Sequence, residues 1–114
     1  MTEINGDKLR GHLETMVLSV LERRDAHGFE ILRRLQEEGC GFLRLKEGTL
    51  YPALYRLEEA GCVKAKWEDN AKRHRGPRRR IYSLTKTGKR ELVNRRNGWQ
   101  DFVTIVGRIV GEPS

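Results

Sequence analysis

The sequence predicts a mostly helical domain with one small β-hairpin, an α+β fold, and three observations support this prediction. Apolar residues recur with helical spacing in four stretches of the chain. Between the third and fourth stretches they alternate with polar residues, which is the pattern of paired strands. The chain has 114 residues, of which 37% are hydrophobic and 34% charged. This is enough for one domain with a modest core, and we expect a partner subunit to cover further apolar surface.

Two helices are expected in the first third of the chain. The first runs from Lys8 to Arg24 with Asp7 as its N-cap. Its core face comprises Leu9, Leu13, Met16, Val17, Val20 and Leu21. After a break at residues 25–28, the second helix is expected from Gly28 to Glu38. Its inward residues are expected to be Phe29, Leu32 and Leu35.

The third helix is expected in the stretch EGTLYPALYRLEEAG, residues 47–61, and it has two distinct faces. One is an apolar stripe at helical spacing, formed by Leu50, Ala53, Leu54 and Leu57. The opposite face offers Tyr51, Tyr55, Arg56 and Glu59 to solvent or to a ligand. With Thr49 as N-cap, Pro52 falls in the first turn and Gly61 ends the helix in a left-handed conformation. Three short helices joined by glycine-bearing turns fit a helix-turn-helix.

A β-hairpin and a long helix complete the prediction. Val63, Ala65 and Trp67 alternate with lysines, and Arg80, Tyr82 and Leu84 alternate with Ile81 and Ser83. These two strands flank a polar tip from Glu68 to Arg79 and form a wing. The last helix is expected from Lys86 to Val110, capped by Thr85, with a stripe too large for one small domain to cover. Gly98 interrupts it at a cost of about 1 kcal/mol relative to alanine, which suggests a kink or a close helix approach.

Positive charge is concentrated in one third of the chain. Residues 64–96 hold 13 Lys and Arg against 3 acidic residues, a local charge of +10 within a net charge of +7. A polyanion is therefore the expected partner, and nucleic acid, acidic protein and anionic lipid all satisfy this charge.

Other classes of function find little support in the residues. The histidines His12, His27 and His74 stand in unrelated elements, and no acid pair or phosphate-binding glycine loop is present, so we predict no enzyme and no cofactor. Cys40 and Cys62 lack the spacing of a zinc site or a disulfide framework. The N-terminus does not read as a signal segment and no apolar run is long enough to span a membrane, so we expect a cytoplasmic protein.

Residues 48–61, GTLYPALYRLEEAG, closely resemble the recognition-helix signature GTLYPAL-x-RLE-x-x-G of the PadR-like transcriptional regulators. The resemblance extends from LRGHLETMVLSVL through HGFEI, where the family commonly has HGYEI, to RRRIYSLTKTG and a tail that bears a tryptophan. The wing tip is a few residues longer than is usual in that family. The resemblance implies a winged helix-turn-helix DNA-binding domain at 1–85 and a C-terminal dimerisation helix and tail at 86–114. It also implies a sequence-specific regulator of transcription, a homodimer that represses from palindromic operators.

The same resemblance gives each candidate residue a role. The residues expected at double-stranded DNA are Thr49, Tyr51, Tyr55, Arg56, Lys64, Lys66, Arg75, Arg78, Arg79 and Arg80. Those expected at the dimer contact are Leu92, Trp99, Phe102, Val103, Val106, Ile109 and Val110. Some members that respond to planar, drug-like compounds carry a tryptophan at the place of Trp99, which makes it a candidate for binding an aromatic effector; core or interface packing is the alternative. An RNA or nonspecific nucleic-acid binder and an adaptor for acidic proteins remain competing interpretations.

Overall fold

The computed structural model describes residues 3–5, 9, 11–68 and 79–111. Within these residues the chain forms four helices and five short strands, which confirms the mostly helical fold with a small β-sheet. In chain order they are β1 (Ile4–Asn5), α1 (Leu13–Arg23), β2 (Ala26–His27), α2 (Gly28–Glu38), β3 (Leu43–Arg44), α3 (Glu47–Glu59), β4 (Val63–Trp67), β5 (Arg80–Leu84) and α4 (Lys86–Val110).

The core lies where α1, α2 and α3 meet, with the sheet and α4 closing its sides. α1 is the central helix, because it contacts α2, α3, α4 and β5. Its Val17 and Leu18 are fully buried, as are Ile31 of α2 and Leu50 of α3. Tyr82 of β5 and Leu92 of α4 complete the same apolar cluster.

The first helix is shorter than the sequence predicts. α1 begins at Leu13, and His12 stands at the N-cap without a side-chain hydrogen bond to the helix. Gly11 has a φ of 88°, which a continuous right-handed helix cannot include. Leu9 is buried as expected but lies in the preceding turn, where its carbonyl accepts from the N–H groups of His12 and Leu13. The predicted cap, Asp7, lies outside the described residues.

The predicted bounds of α2 are confirmed, but the prediction is wrong for one of its three inward residues. Leu32 and Leu35 are buried, whereas Phe29 is 58% exposed. The helical spacing that buries Gly28, Leu32 and Leu35 also includes Ile31, and Phe29 falls beside this face instead of on it.

α3 buries the whole predicted stripe, but it starts one turn earlier than expected. Lys46 is the N-cap and makes no side-chain cap bond, so Thr49 is not the cap and lies inside the helix. Pro52 is therefore an interior proline, and the carbonyl of Gly48 loses its usual helical donor. The C-terminus is as predicted: Gly61 has a φ of 76°. The N–H groups of Gly61 and Cys62 donate to the carbonyls of Glu58 and Leu57 at 3.0 and 2.9 Å.

The predicted hairpin is confirmed, and a third strand joins it. β4 and β5 pair antiparallel from Val63↔Leu84 to Trp67↔Arg80. The unexpected strand is β2, in the predicted break, which pairs antiparallel with the other edge of β5. Two residues are too few to show a period of two, so the pattern could not reveal it. β1 and β3 form a separate parallel pair. The wing tip at 69–78 lies outside the described residues.

α4 has the predicted bounds and cap, since the Thr85 hydroxyl accepts from the N–H of Gly88 at 3.0 Å. The same hydroxyl donates to the carbonyl of Gly61 at 2.6 Å, which joins the start of α4 to the end of α3. The helix remains α-helical through Gly98. It packs on α1 through its first half, where Arg96 forms two hydrogen bonds with Glu22 at 2.7 and 3.1 Å.

Candidate nucleic-acid interface

The outer face of α3 carries the residues expected to meet DNA. Tyr55 is 65% exposed and lies almost opposite the buried stripe. Tyr51 is 44% exposed and lies on the flank that faces α2 and the sheet. Thr49 and Arg56 are exposed on the flank that faces α1. The helix therefore presents aromatic hydroxyls and one guanidinium on a single convex surface.

Arg56 is engaged by α1 in this structure. Its Nε lies 3.0 Å from a carboxylate oxygen of Glu14, and the other oxygen of Glu14 lies 3.7 Å from Arg95 of α4. One carboxylate thus contacts α3 and α4 together. The Arg56 side chain is 58% exposed, and such a pair contributes at most about 1 kcal/mol. Arg56 can therefore leave Glu14 for a stronger acceptor at small cost.

The hairpin places further cations beside α3. Lys64 and Lys66 are exposed on β4. Arg80 is 2.9 Å from Glu58 of α3, and its guanidinium lies over the rings of Trp67 and Tyr82 at 5.9 and 5.7 Å. Arg79 lies next to it at the start of the return strand. Two more predicted contacts, Arg75 and Arg78, lie outside the described residues.

Two arginines of the basic third are turned toward α1 and not toward the outer face of α3. Arg95 and Arg96 face the acidic side of α1, where they pair with Glu14 and Glu22. Their charge therefore attaches α4 to the domain. Among the described residues of the basic third, Lys64, Lys66, Arg79 and Arg80 of the hairpin are the cations beside α3, so Arg95 and Arg96 do not add to the charge that a polyanion would meet there.

A cavity that the sequence did not predict lies between α2, α3 and the hairpin. Its volume is about 230 Å³. It is lined by His27, Gly28, Phe29, Tyr51, Trp67, Arg79, Arg80 and Tyr82. Gly28 lets Tyr51 approach, since a Cβ at this position would lie 2.5 Å from the Tyr51 hydroxyl. The only sequence signal for the cavity was HGFEI, which contains three of its lining residues but does not show what they face.

His27 stands at the junction of these three elements. Its Nδ1 accepts from the backbone N–H of Glu30 at 3.2 Å and so caps α2, while its Nε2 lies 3.1 Å from Arg79. Burial lowers the pKa of His27, and the charge of Arg79 lowers it further, against the opposite effects of Glu30 and Glu68. The imidazole is therefore neutral at pH 7, where its ordinary pKa would already leave it mostly uncharged.

The second half of α4 carries an exposed apolar stripe. Trp99 is 49% exposed and Ile109 79% exposed, and Phe102, Val103 and Val110 are also exposed. Val106 is half-buried. Leu92, which was expected at the dimer contact, is 1% exposed and belongs to the chain's own core. Trp99 contacts His12 edge to face at 5.2 Å and stacks on Phe102 at 5.9 Å.

A metal site and a membrane-spanning helix are both absent from the part of the chain that the structure describes. No three His, Cys, Asp or Glu side chains lie together as a metal site would require among residues 3–5, 9, 11–68 and 79–111. Over the same residues, no helix combines the length and apolarity needed to cross a bilayer.

Comparison with known proteins agrees with this geometry. The profile of the transcriptional regulator PadR-like family matches residues 17–94, more than half of the chain. A solved transcriptional regulator from Clostridium thermocellum is 29% identical with a TM-score of 0.82, over 91% of this chain and 98% of that one. A PadR family transcription regulator from Clostridium difficile is 31% identical with a TM-score of 0.76, over 89% and 100%.

A further relative covers almost the full length of both proteins. It is an uncharacterised protein from Lysinibacillus sphaericus, 28% identical over 90% of this chain and 92% of its own length. The profile match and the solved structures confirm the winged helix-turn-helix fold, in which α2 and α3 form the motif and β4–β5 the wing. This chain belongs to the PadR-like family of transcriptional regulators, which bind DNA and are not enzymes.

Proposed function

We propose that this protein is a sequence-specific repressor that binds a palindromic operator as a homodimer. The observation that carries the proposal is the exposed Tyr51–Tyr55 face of α3, which adjoins the cations of the hairpin on one side of the domain. A convex helix beside a basic hairpin fits a duplex, whose major groove admits an α-helix.

In this proposal α3 enters the major groove and reads bases. Tyr55 lies at the centre of the exposed face and meets a thymine methyl or a phosphate. Arg56 exchanges Glu14 for a guanine edge, which offers two acceptors to its guanidinium. Thr49 and Tyr51 extend the same surface, and Lys64, Lys66, Arg79 and Arg80 hold phosphates from the wing.

The homodimer is supported by the exposed stripe of α4. Trp99, Phe102, Val103, Ile109 and Val110 lie along neighbouring sides of one helix and are all at least 44% exposed. A second copy of the same helix covers such a stripe symmetrically. On this proposal residues 86–114 extend the DNA-binding domain at 1–85 as its dimerisation element.

We further propose that a planar aromatic effector binds this dimer at Trp99. Trp99 is half exposed beside His12 and Phe102, so a planar aromatic ligand can extend this ring cluster. In a Trp67→Phe variant, Trp99 is the only tryptophan. We expect planar cationic dyes to quench its emission and to release DNA; emission unchanged by such dyes would assign Trp99 to packing.

Selection of bound fragments from genomic DNA tests the main proposal. We expect recovered fragments to share a palindrome, because a two-fold dimer presents two copies of α3. Retention of RNA or of acidic protein in preference to duplex DNA would favour a general nucleic-acid binder or an adaptor. A repressor also has to lower transcription from the recovered site. We propose that it does so in the cytoplasm.

A further inference from the structure

Both ring nitrogens of His27 face hydrogen-bond donors. Nδ1 lies 3.2 Å from the backbone N of Glu30, and Nε2 lies 3.1 Å from Nη1 of Arg79. A neutral imidazole has one N–H and one lone pair, while a guanidinium only donates. The free protein can therefore form a hydrogen bond at only one of these two contacts.

Capping of α2 decides which nitrogen accepts. When Nδ1 accepts from Glu30, the proton is on Nε2 and points toward Arg79. Two donors then converge at the cavity, and a single anionic oxygen placed beside the pair, on the cavity side, would accept from both. The Nε of Arg79 is bonded to Glu68 at 3.3 Å, which orients the guanidinium with Nη1 toward His27.

The other walls of the cavity suit a tetrahedral anion. Arg80 lines it and adds a second positive charge, and the side chain of Tyr51 lies against Gly28 on the α3 side. The volume of about 230 Å³ exceeds that of several water molecules, each about 30 Å³ in the liquid, so a phosphate group fits. The N–H of Glu30 is already bonded to His27 and is not available to the anion.

We propose that this cavity seats one backbone phosphate of bound duplex DNA, held jointly by Nε2–H of His27 and the guanidinium of Arg79. The inference rests on the proposed DNA-binding function and names a contact within it. The cavity lies between α3 and the hairpin, so a DNA strand that borders the major groove would pass over it in the proposed complex. Among neighbouring charges, Arg33 and Arg80 favour the anion, whereas Glu30, Glu68 and Glu58, the ion-pair partner of Arg80, oppose it.

Affinity for a random-sequence 24-base-pair duplex tests the pair, because a phosphate contact does not depend on sequence. We expect His27→Asn and Arg79→Gln each to weaken binding by about tenfold, the loss typical of one hydrogen bond to a charged group. Asparagine keeps an acceptor for the N-cap, so the unfolding temperature should stay near that of the wild type. Arg90→Gln, an exposed cation outside the cavity, is the matched control for loss of charge.

The double variant separates a shared phosphate from two independent contacts. We expect it to bind less than a hundredfold more weakly than the wild type, because the second substitution removes a partner already lost. Arg79→Gln should also reduce the slope of log K against log salt by about 0.9, and His27→Asn should leave that slope unchanged at pH 8. If His27→Asn binds with wild-type affinity, or if the fold-losses of the two single variants multiply in the double variant, the shared phosphate contact is overturned. Neither outcome would contradict the proposed DNA-binding function. Absence of duplex binding by the folded wild-type protein would overturn the proposed function as well.

Discussion

Gly88 and Gly28 each allow a close contact, the first with backbone and the second with a side chain. Alanine at Gly88 should therefore affect mainly stability, and alanine at Gly28 mainly DNA binding. A Cβ at Gly88 would lie 2.0 Å from the carbonyl oxygen of Cys62, so backbone has to move. A Cβ at Gly28 would meet only the outer end of the Tyr51 ring. We expect Gly88→Ala to cost about 1–3 kcal/mol, and Gly28→Ala to cost less while displacing Tyr51 and weakening DNA binding. Thermal unfolding and duplex affinity measure the two effects; equal stability losses would contradict this distinction.

Tyr55 and Arg56 test base reading at the residue scale. Neither side chain belongs to the core, so Tyr55→Ala and Arg56→Ala should retain the fold. Each should weaken binding to the operator by roughly 1–3 kcal/mol and binding to random DNA by less. Glu14→Gln is the informative companion, since it removes the negative charge that pairs with Arg56 without altering α3. If the two alanine variants lose as much affinity for random DNA as for the operator, these residues do not read bases.

At the scale of elements, the attachment of α4 to α1 depends on exposed ion pairs around one buried leucine. The hydrogen bond from Arg96 holds the pKa of Glu22 below its ordinary value. Because the folded-state pKa is lowered, the pair stabilises the fold above the unfolded pKa of Glu22 and is lost as pH falls through the folded value. We expect Glu22→Gln to reduce stability by at most about 1 kcal/mol at pH 7 and by less at pH 3. Denaturant unfolding at both pH values checks this; an equal loss at pH 3 would exclude the pair as the cause.

The elements also show what the sequence could and could not predict. α4 and the buried face of α3 were predicted because each combines a long apolar period with a strong end signal, such as Thr85 or Gly61. The start of α1 was missed because apolar spacing continues through Leu9, although Gly11 adopts a left-handed conformation that ends it. β2 and the His27–Arg79 contact depend on a strand pairing across more than fifty residues, which no local period records.

At the scale of the whole molecule, exposed cations and exposed apolar residues lie on two different surfaces of the domain. The hairpin and α3 carry outward cations and tyrosines, whereas the acids of α1 are largely occupied by arginines of α3 and α4. The apolar stripe continues along α4 beyond Arg96, the last residue of α4 with an ion pair to α1 among those described. In the proposed function, DNA and a second subunit would therefore bind to different surfaces.

The exposed stripe of α4 leads to the last prediction, that Val106→Asp combined with Ile109→Asp gives monomers. Both positions lie on the stripe, and a dimer would have to bury two unpaired carboxylates on each subunit, at a cost of several kcal/mol. Val93→Asp is the matched control, because Val93 is 54% exposed on α4 but lies well off the stripe. Sedimentation should show monomers for the double variant and dimers for the control, with operator affinity falling only in the former. Dimers that persist in the double variant would place the interface elsewhere, with α1 as the next surface to test.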